Sequence, residues 1–389
     1  MNTEKKRGAL PYDKAPLLRR LKQKGIIRPY TVTVAAVFLF AVIIYTVSRF
    51  FVPFAEFWAR YPSQGIRMAL GTLTGWIPFS LAETFVISLP VLAAAFVIYS
   101  NRKMAADESA RAFWGCIMPI VSFMLIIASI FLLGFGPCYF RRPLEDNLGL
   151  DRSGVTAQRL YDASEWLCAE LDGISDGIAY RADGLSAMPY SYYELSAKMN
   201  DAFAEYASKA DYISSFRSLA KPVVLSEPMT YTHISGVYTF FTGEANVNVN
   251  YPDFNTPFTM AHEMAHQRGI AREDEANFVA FLVCMESDDE YIRYSALTNM
   301  LQYMGNALYS ADSSLYSKLY GSSYPDNVKA EFRAYSLFFD KYRDSGVSNV
   351  VENVNDTFLG SQGQTHGTKS YGLVVELFTS YYDIYLSQS

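Results

Sequence analysis

Four histidines occur among the 389 residues, and two of them stand four apart with a glutamate directly after the first: His262, Glu263 and His266, in the run TPFTMAHEMAHQRG. On a helix, positions i and i+4 share a face, so both imidazoles can reach one metal ion. Glu263, one step round, then lies beside the ion's remaining coordination position. Paired imidazoles suit zinc, although ligand type alone leaves other metals open. A carboxylate in that place takes a proton from water acidified by the metal, which is the chemistry of hydrolysis. So few histidines make the arrangement hard to obtain by composition alone.

A catalytic zinc site takes three protein ligands and keeps its fourth position for water. Past Gly269 the helical pattern resumes from Arg272 to about Met285, with Glu275 at the head of the apolar stripe Phe278, Val279 and Leu282. A carboxylate on a core-facing stripe is costly unless it is paired or bound to a metal, so Glu275 is the expected third ligand. Glu273 and Asp274 are the alternatives, read as solvated first-turn acids that favour a helix N-terminus. Asn277 is expected to orient a ligand by hydrogen bonding. Thr256 is expected to cap the first helix, Pro257 to open it and Gly269 to end it, leaving a tight turn between the two metal-bearing helices.

The elements around this pair divide the chain. Residues 31–54 and 77–100 carry one charge each, Arg49 and Glu83, and residues 114–136 carry none. Each run is long enough to cross a hydrocarbon core as a helix, with Pro90 and Pro119 inside two of them. Glu83 is a candidate functional carboxylate of the membrane, or else an interfacial residue or a partner of Arg49. Nine basic residues against two acidic ones in residues 1–30 place that tail in the cytoplasm and everything past the third span outside, with Arg141 and Arg142 as weaker opposing signals. The expected organisation is a basic tail (1–30), a three-helix membrane region (31–137) and an extracytoplasmic domain (138–389).

In that domain helices are expected over 151–172 and from Tyr190, opened by Pro189, to about Arg217; helices return after 256. Three short strands are expected between Lys221 and Asn250, in PVVLS, YTHISGVYTFF and EANVNVN. The whole chain carries −6, so without its basic tail the remainder is more acidic still, with no basic stripe; nucleic acid is not an expected partner. Cys116, Cys138, Cys168 and Cys284 form no CxxC pair and read as buried free thiols.

HEMAH followed by a helix bearing EDEANFVA resembles the gluzincin clan of zinc metallopeptidases. More closely, YFRRPLEDNLGL (139–150), SGVYTFFTGEANVNVN, PFTMAHEMAHQRGIAREDEANF and KSYG (369–372) resemble a family of three-span bacterial membrane proteins known only as a domain of unknown function. The resemblance implies a mainly helical α+β zincin-like fold with a small sheet. It implies His262 and His266 as zinc imidazoles, Glu263 as general base and Glu275 as carboxylate ligand. It makes Gly243, Glu244, Ala245 and Asn246, at the start of GEANVNVN, an edge strand for an extended peptide, or else an ordinary sheet edge. His366 and Tyr371 are candidates for stabilising the oxyanion, with His233 a third.

The expected activity is a membrane-anchored zinc metallopeptidase acting outside the cytoplasm on peptide or protein substrates, with membrane lipid around its anchor. The alternative is a non-catalytic envelope sensor or scaffold that uses metal to hold its helices. Proteolysis inside the membrane is disfavoured, because polar strands precede the HEMAH helix. Oligomeric state and substrate identity have no signature in the sequence.

Overall fold

The computed structural model describes residues 28–107, 110–343, 346–362, 364 and 371–387. The tail before Arg28 and the candidate His366 therefore lie outside the described residues. Among the described residues, three helices are long and apolar enough to cross a membrane: Pro29–Phe50 (α1), Leu81–Ala106, and Arg111–Phe140. Side chains such as Leu39, Phe40, Ile43, Val91, Leu92 and Met124 point outward from them, exposed, as lipid contact requires and a soluble core does not allow. The second span starts at Leu81, later than the apolar run, because Ser80 caps it: its Oγ accepts the Glu83 N–H at 3.0 Å.

The segment between the first two spans is two helices, Val52–Arg60 (α2) and Pro62–Thr74 (α3), each with proline in its first two positions. Leu81–Ala106 is α4, and the third span is α5 (Ala110–Gly134) continued by a 3-10 turn over Gly136–Phe140. Arg67 of α3 is 2% exposed and donates to Ser63 Oγ (2.5 Å), to the carbonyls of Gly134 (2.9 Å) and Ala59 (3.2 Å) and, more distantly, to that of Arg268 (3.5 Å). A guanidinium among helix-end carbonyls meets the negative end of each dipole. It ties the third span, α2 and α3 to the folded domain, so residues 52–74 are structurally part of that domain's base.

The domain continues with Leu144–Leu148 (α6), Ala157–Ser175 (α7) and Tyr192–Lys209 (α8). The helix expected to open at Pro189 starts three residues beyond it, at Tyr192, and ends at Lys209 rather than near Arg217. Ser191 and Glu194 form a reciprocal capping box, which outcompetes the proline signal. The sheet has three strands, β1 (Lys221–Pro222), β2 (Gly236–Thr239) and β3 (Glu244–Val247), with the short helix α9 (Ser226–Thr230) between the first two. Its order is β1–β3–β2: β1 is parallel to β3 with Lys221 opposite Asn246, and β2 is antiparallel with Gly236 opposite Val247.

The strand expected at the edge is therefore the central one. Gly243, Glu244, Ala245 and Asn246 are all buried and cannot face a substrate. Gly243 turns the hairpin at φ 70° and its carbonyl accepts from Gln267. Glu244 pairs with the fully buried Lys221 at 3.2 Å and accepts the amides of Leu81 and Ala82, capping the second span. Asn246 spends its amide on Val237 O and Thr239 Oγ1. Glu83 likewise accepts the amides of Val224 and Leu225, so it is a docking residue at the start of α4 and is not paired with Arg49.

Helices Asn255–Gln267 (α10), Glu273–Met285 (α11) and Glu290–Ala311 (α12) form the centre of the core. Around them lie Ser313–Ser322 (α13), Asp326–Asp340 (α14), Gly346–Ser361 (α15) and Tyr371–Tyr381 (α16). Thr256 is inside α10 rather than capping it, and Phe254 holds the cap position without a side-chain bond. All four cysteines are buried free thiols.

Replacing Arg67 with Met strands four or more acceptors. At ~1.5–3 kcal/mol for a charged hydrogen bond, and allowing for compensation, the protein should lose about 3 kcal/mol or more. Thermal unfolding in detergent reads this; an unchanged midpoint refutes the role given to Arg67.

Candidate metal centre

Helix α10 carries His262 and His266 on one face, their ring centroids 4.5 Å apart. It ends at Gln267, and Gly269 turns the chain at φ 91°, a conformation that L side chains seldom adopt. A Cβ there would also strike the Arg67 guanidinium. The turn returns as α11 after three further residues, which brings Glu273 at its first position back over the imidazoles. Glu273 Oε2 lies 3.3 Å from His262 Nε2, and its Oε1 lies 3.6 Å from His266 Nε2. His262, His266 and Glu273 each offer a ligand atom within 4.8 Å of the others, the one such cluster among the described residues.

Glu275, the expected ligand, is turned away. It pairs with Arg272 Nη1 at 2.6 Å and accepts the Leu144 N–H at 2.9 Å. Asp274 pairs with Arg152 at 2.7 Å. Consecutive helical residues are rotated by ~100°, so three acids in a row cannot share a target. The apolar stripe misleads because α11 is buried on every side, from Asp274 through Cys284. Facing the core does not mean facing the metal. The usable signal was the i, i+4 pair Glu273 and Asn277, which places both along one wall of the cleft.

The electrostatics follow from burial. Burial pushes the Glu273 carboxyl up, but the two imidazoles beside it more than reverse this and hold it far below the usual carboxylate range. Burial disfavours charge on His266 too, yet Glu273 and Glu263 raise it to about 9 in the metal-free protein. His266 Nδ1 lies 2.7 Å from the Ile270 carbonyl, which can only accept; Nδ1 therefore carries a proton, and Nε2 is the nitrogen left for a metal once its own proton is released. Burial raises the Glu263 carboxyl above its ordinary value despite the two histidines, and Glu263 Oε2 is buried with no hydrogen-bond partner among the described residues. Two imidazoles and a carboxylate are a donor set that a catalytic zinc ion takes, and the unengaged Glu263 oxygen lies beside them.

The cluster lies in a cleft of about 1450 Å³. β2 forms one wall, and Gly236 is placed so that a Cβ would lie 2.5 Å from Glu263 Oε1. That glycine went unnoticed in the sequence, where nothing marks a close approach across 27 residues. His233 lies in the cleft wall, but in a turn at φ 59° rather than in a strand, with Nε2 2.9 Å from the Tyr342 carbonyl. Tyr371 begins α16, across the 365–370 stretch that is outside the described residues. Phe135 and Tyr139 from the third span also line the cleft, with the Phe135 ring 6.1 Å from that of His266.

A family model described as a protein of unknown function (DUF3810) matches residues 59–379. The chain belongs to this family. No curated protein and no solved structure matches it. The family match takes in α3, two of the spanning helices and the whole cluster, so the membrane helices and the site occur together within one family unit.

Zinc content separates the two glutamates. Glu273→Gln should lower zinc affinity by more than about a hundredfold, since a ligand should matter at least as much as the groups that orient it. Glu275→Gln should keep zinc and lose about 3 kcal/mol of stability by unpairing Arg272. Zinc lost from the second and kept by the first would reverse the assignment.

Proposed function

We propose that this chain is a membrane-anchored zinc metallopeptidase with a zincin-like, gluzincin-related site, hydrolysing peptide bonds outside the cytoplasm. The observation that carries this reading is Glu263: a buried carboxylate of raised pKa with an unengaged oxygen, directly beside the His262–His266–Glu273 cluster and an open sheet edge. A site that merely braced helices would gain nothing from a desolvated carboxylate there.

His262, His266 and Glu273 would hold the ion. When bound, zinc supplies Lewis acidity that makes water a nucleophile near neutral pH. Glu263 accepts the proton of the attacking water and delivers it to the amine as the C–N bond breaks; a pKa raised above the ordinary carboxylate value by burial makes it the better base. The main-chain N–H of Tyr238 faces the Glu263 carboxylate and, with Gly236, fixes its position against β2. Among the described residues β3 pairs with only one side of β2, so its other edge, beyond the Tyr238 N–H that meets Glu263, can pair with an extended substrate.

The orientation follows from charge. Arg28 at the start of α1, Lys103 near the end of α4 and Arg111 at the start of α5 lie together at one end of the spanning helices. The basic end faces the cytoplasm and the cleft faces outward.

Glu263→Gln should retain zinc and lose about 10²–10⁴-fold in kcat on a peptide library, the worth of general acid–base catalysis. Full activity in that variant would end the catalytic reading. Gly236→Ala should keep the fold and the zinc but lose at least tenfold in kcat, because its methyl group displaces the base; undiminished turnover would refute that contact.

A further inference from the structure

The cleft is polarised along its length. At one end its walls are Phe131 of the third span, Phe240 from the β2–β3 hairpin, and Val350, Val354 and Phe358 of α15. The Phe131 ring meets Phe240 at 5.1 Å and Phe358 at 5.8 Å, while Phe241 meets Phe85 of α4 at 6.2 Å. This end is continuous with the spanning helices. Val350 and Val354 nonetheless remain 61% and 65% exposed, apolar surface facing a cleft.

The other end is built from uncharged polar groups. Asn299, Gln302, Asn306 and Ser310 fall along one face of α12, with Asn255 from α10 beside them. Asn255 Oδ1 is buried and without a partner among the described residues, an acceptor awaiting a donor. Among the described residues, the cleft lining contains no Lys, Arg or Asp, and its carboxylates are those of Glu263 and Glu273.

Strand β2 sets the distance to the chemistry. From Gly236, against Glu263, to Phe240, against the third span, is four residues, ~14 Å of extended chain. The third span meets the cluster at Phe135, which packs on Tyr238 and His266, so a peptide paired with this edge would place its reacting carbonyl there while its chain, four or five residues away, reaches Phe131, one helical turn deeper in the span.

We propose that the substrate is the segment of a membrane-tethered polypeptide just outside its own span, apolar on the span side and uncharged but polar beyond the cut, cleaved about five residues from the membrane boundary. The proposal rests on the peptidase reading and gives it a substrate class. Tethering raises the effective concentration of such a segment at a surface site. An apolar flank gains by leaving water for the Phe131 and Val354 walls. A charged flank would be desolvated where the lining holds no counter-ion for it.

The full chain, zinc-loaded and reconstituted in phosphatidylcholine vesicles, can be offered a synthetic peptide with a Leu/Ala span followed by an uncharged Val, Ala, Ser and Asn segment. The comparisons are the same segment without the span, with the span at its other end, and with an Asp pair in the polar half. One tethered form should be cut at least tenfold faster than the free segment, about five residues from the span, and the Asp pair should abolish that gain. Val354→Asp should lower the tethered rate more than the rate on the free segment. Equal rates for tethered and free peptide, or indifference to the Asp pair, would overturn the proposal and leave the peptidase reading intact. If no peptide is cut, photocrosslinking in Glu263→Gln decides. Capture of the span side from position 354 and of the polar side from position 306 upholds the substrate class while the catalytic reading falls. Absence of capture overturns the proposal.

Discussion

The structure depends on one tight turn. Between His266 and Glu273 the chain must end a helix, reverse and begin another, bringing a carboxylate back within 3.6 Å of an imidazole it left seven residues earlier. Gly269 makes the reversal possible at φ 91°, and the carbonyls exposed by ending a helix inside a core need donors. Arginines supply them. Arg67 reaches toward the Arg268 carbonyl and Arg141 donates to that of Gly269 at 3.1 Å, while Arg272, from the turn itself, donates to the carbonyls of Tyr139 and Arg141 at the exit of the third span. The last carbonyl of the turn, Ile270, is reserved for His266. The turn that lets the helix stop also orients the His266 imidazole.

Two of those arginines come from the anchor or its exit: Arg67 lies between the first two spans and Arg141 just past the third. The membrane helices are therefore structural partners of the metal cluster. Lys221 and Glu244 repeat the device at the sheet, where the lysine satisfies the carbonyls of Thr74, Ile77 and Phe79 and the glutamate caps the second span. Buried ionic groups seldom add net stability, but they tolerate little displacement. They hold β3, and through it β2 and Gly236, in register with Glu263. This explains how a small sheet can keep one strand edge fixed against the Glu263 carboxylate.

The reading of Arg141 and Arg142 as topology signals illustrates what local counting misses. Arg141 is 7% exposed and paired with Glu56, so it is a packing residue whose charge is spent inside the protein. Glu83 carries the converse lesson. Counted as a charge inside a span, it sits in the first turn of that helix and accepts two amides of the domain. In both cases composition located the residue near the membrane boundary, and only its partners could say what it does.

The sequence by itself determined three apolar spans, the helix carrying His262, Glu263 and His266, the glycine that ends it and the helix that follows. Each is set by local periodicity or backbone preference, which neighbouring residues are enough to specify. Tertiary structure decided the rest. It selected Glu273 over Glu275, because α11 is buried all round and rotation about its axis, rather than apolar company, sets which acid meets the imidazoles. It made β3 central and β2 the free edge, because strand order follows from pairing between segments distant in sequence. It turned the stretch between two spans into the base of the domain, through a single arginine whose acceptors come from three separate parts of the chain.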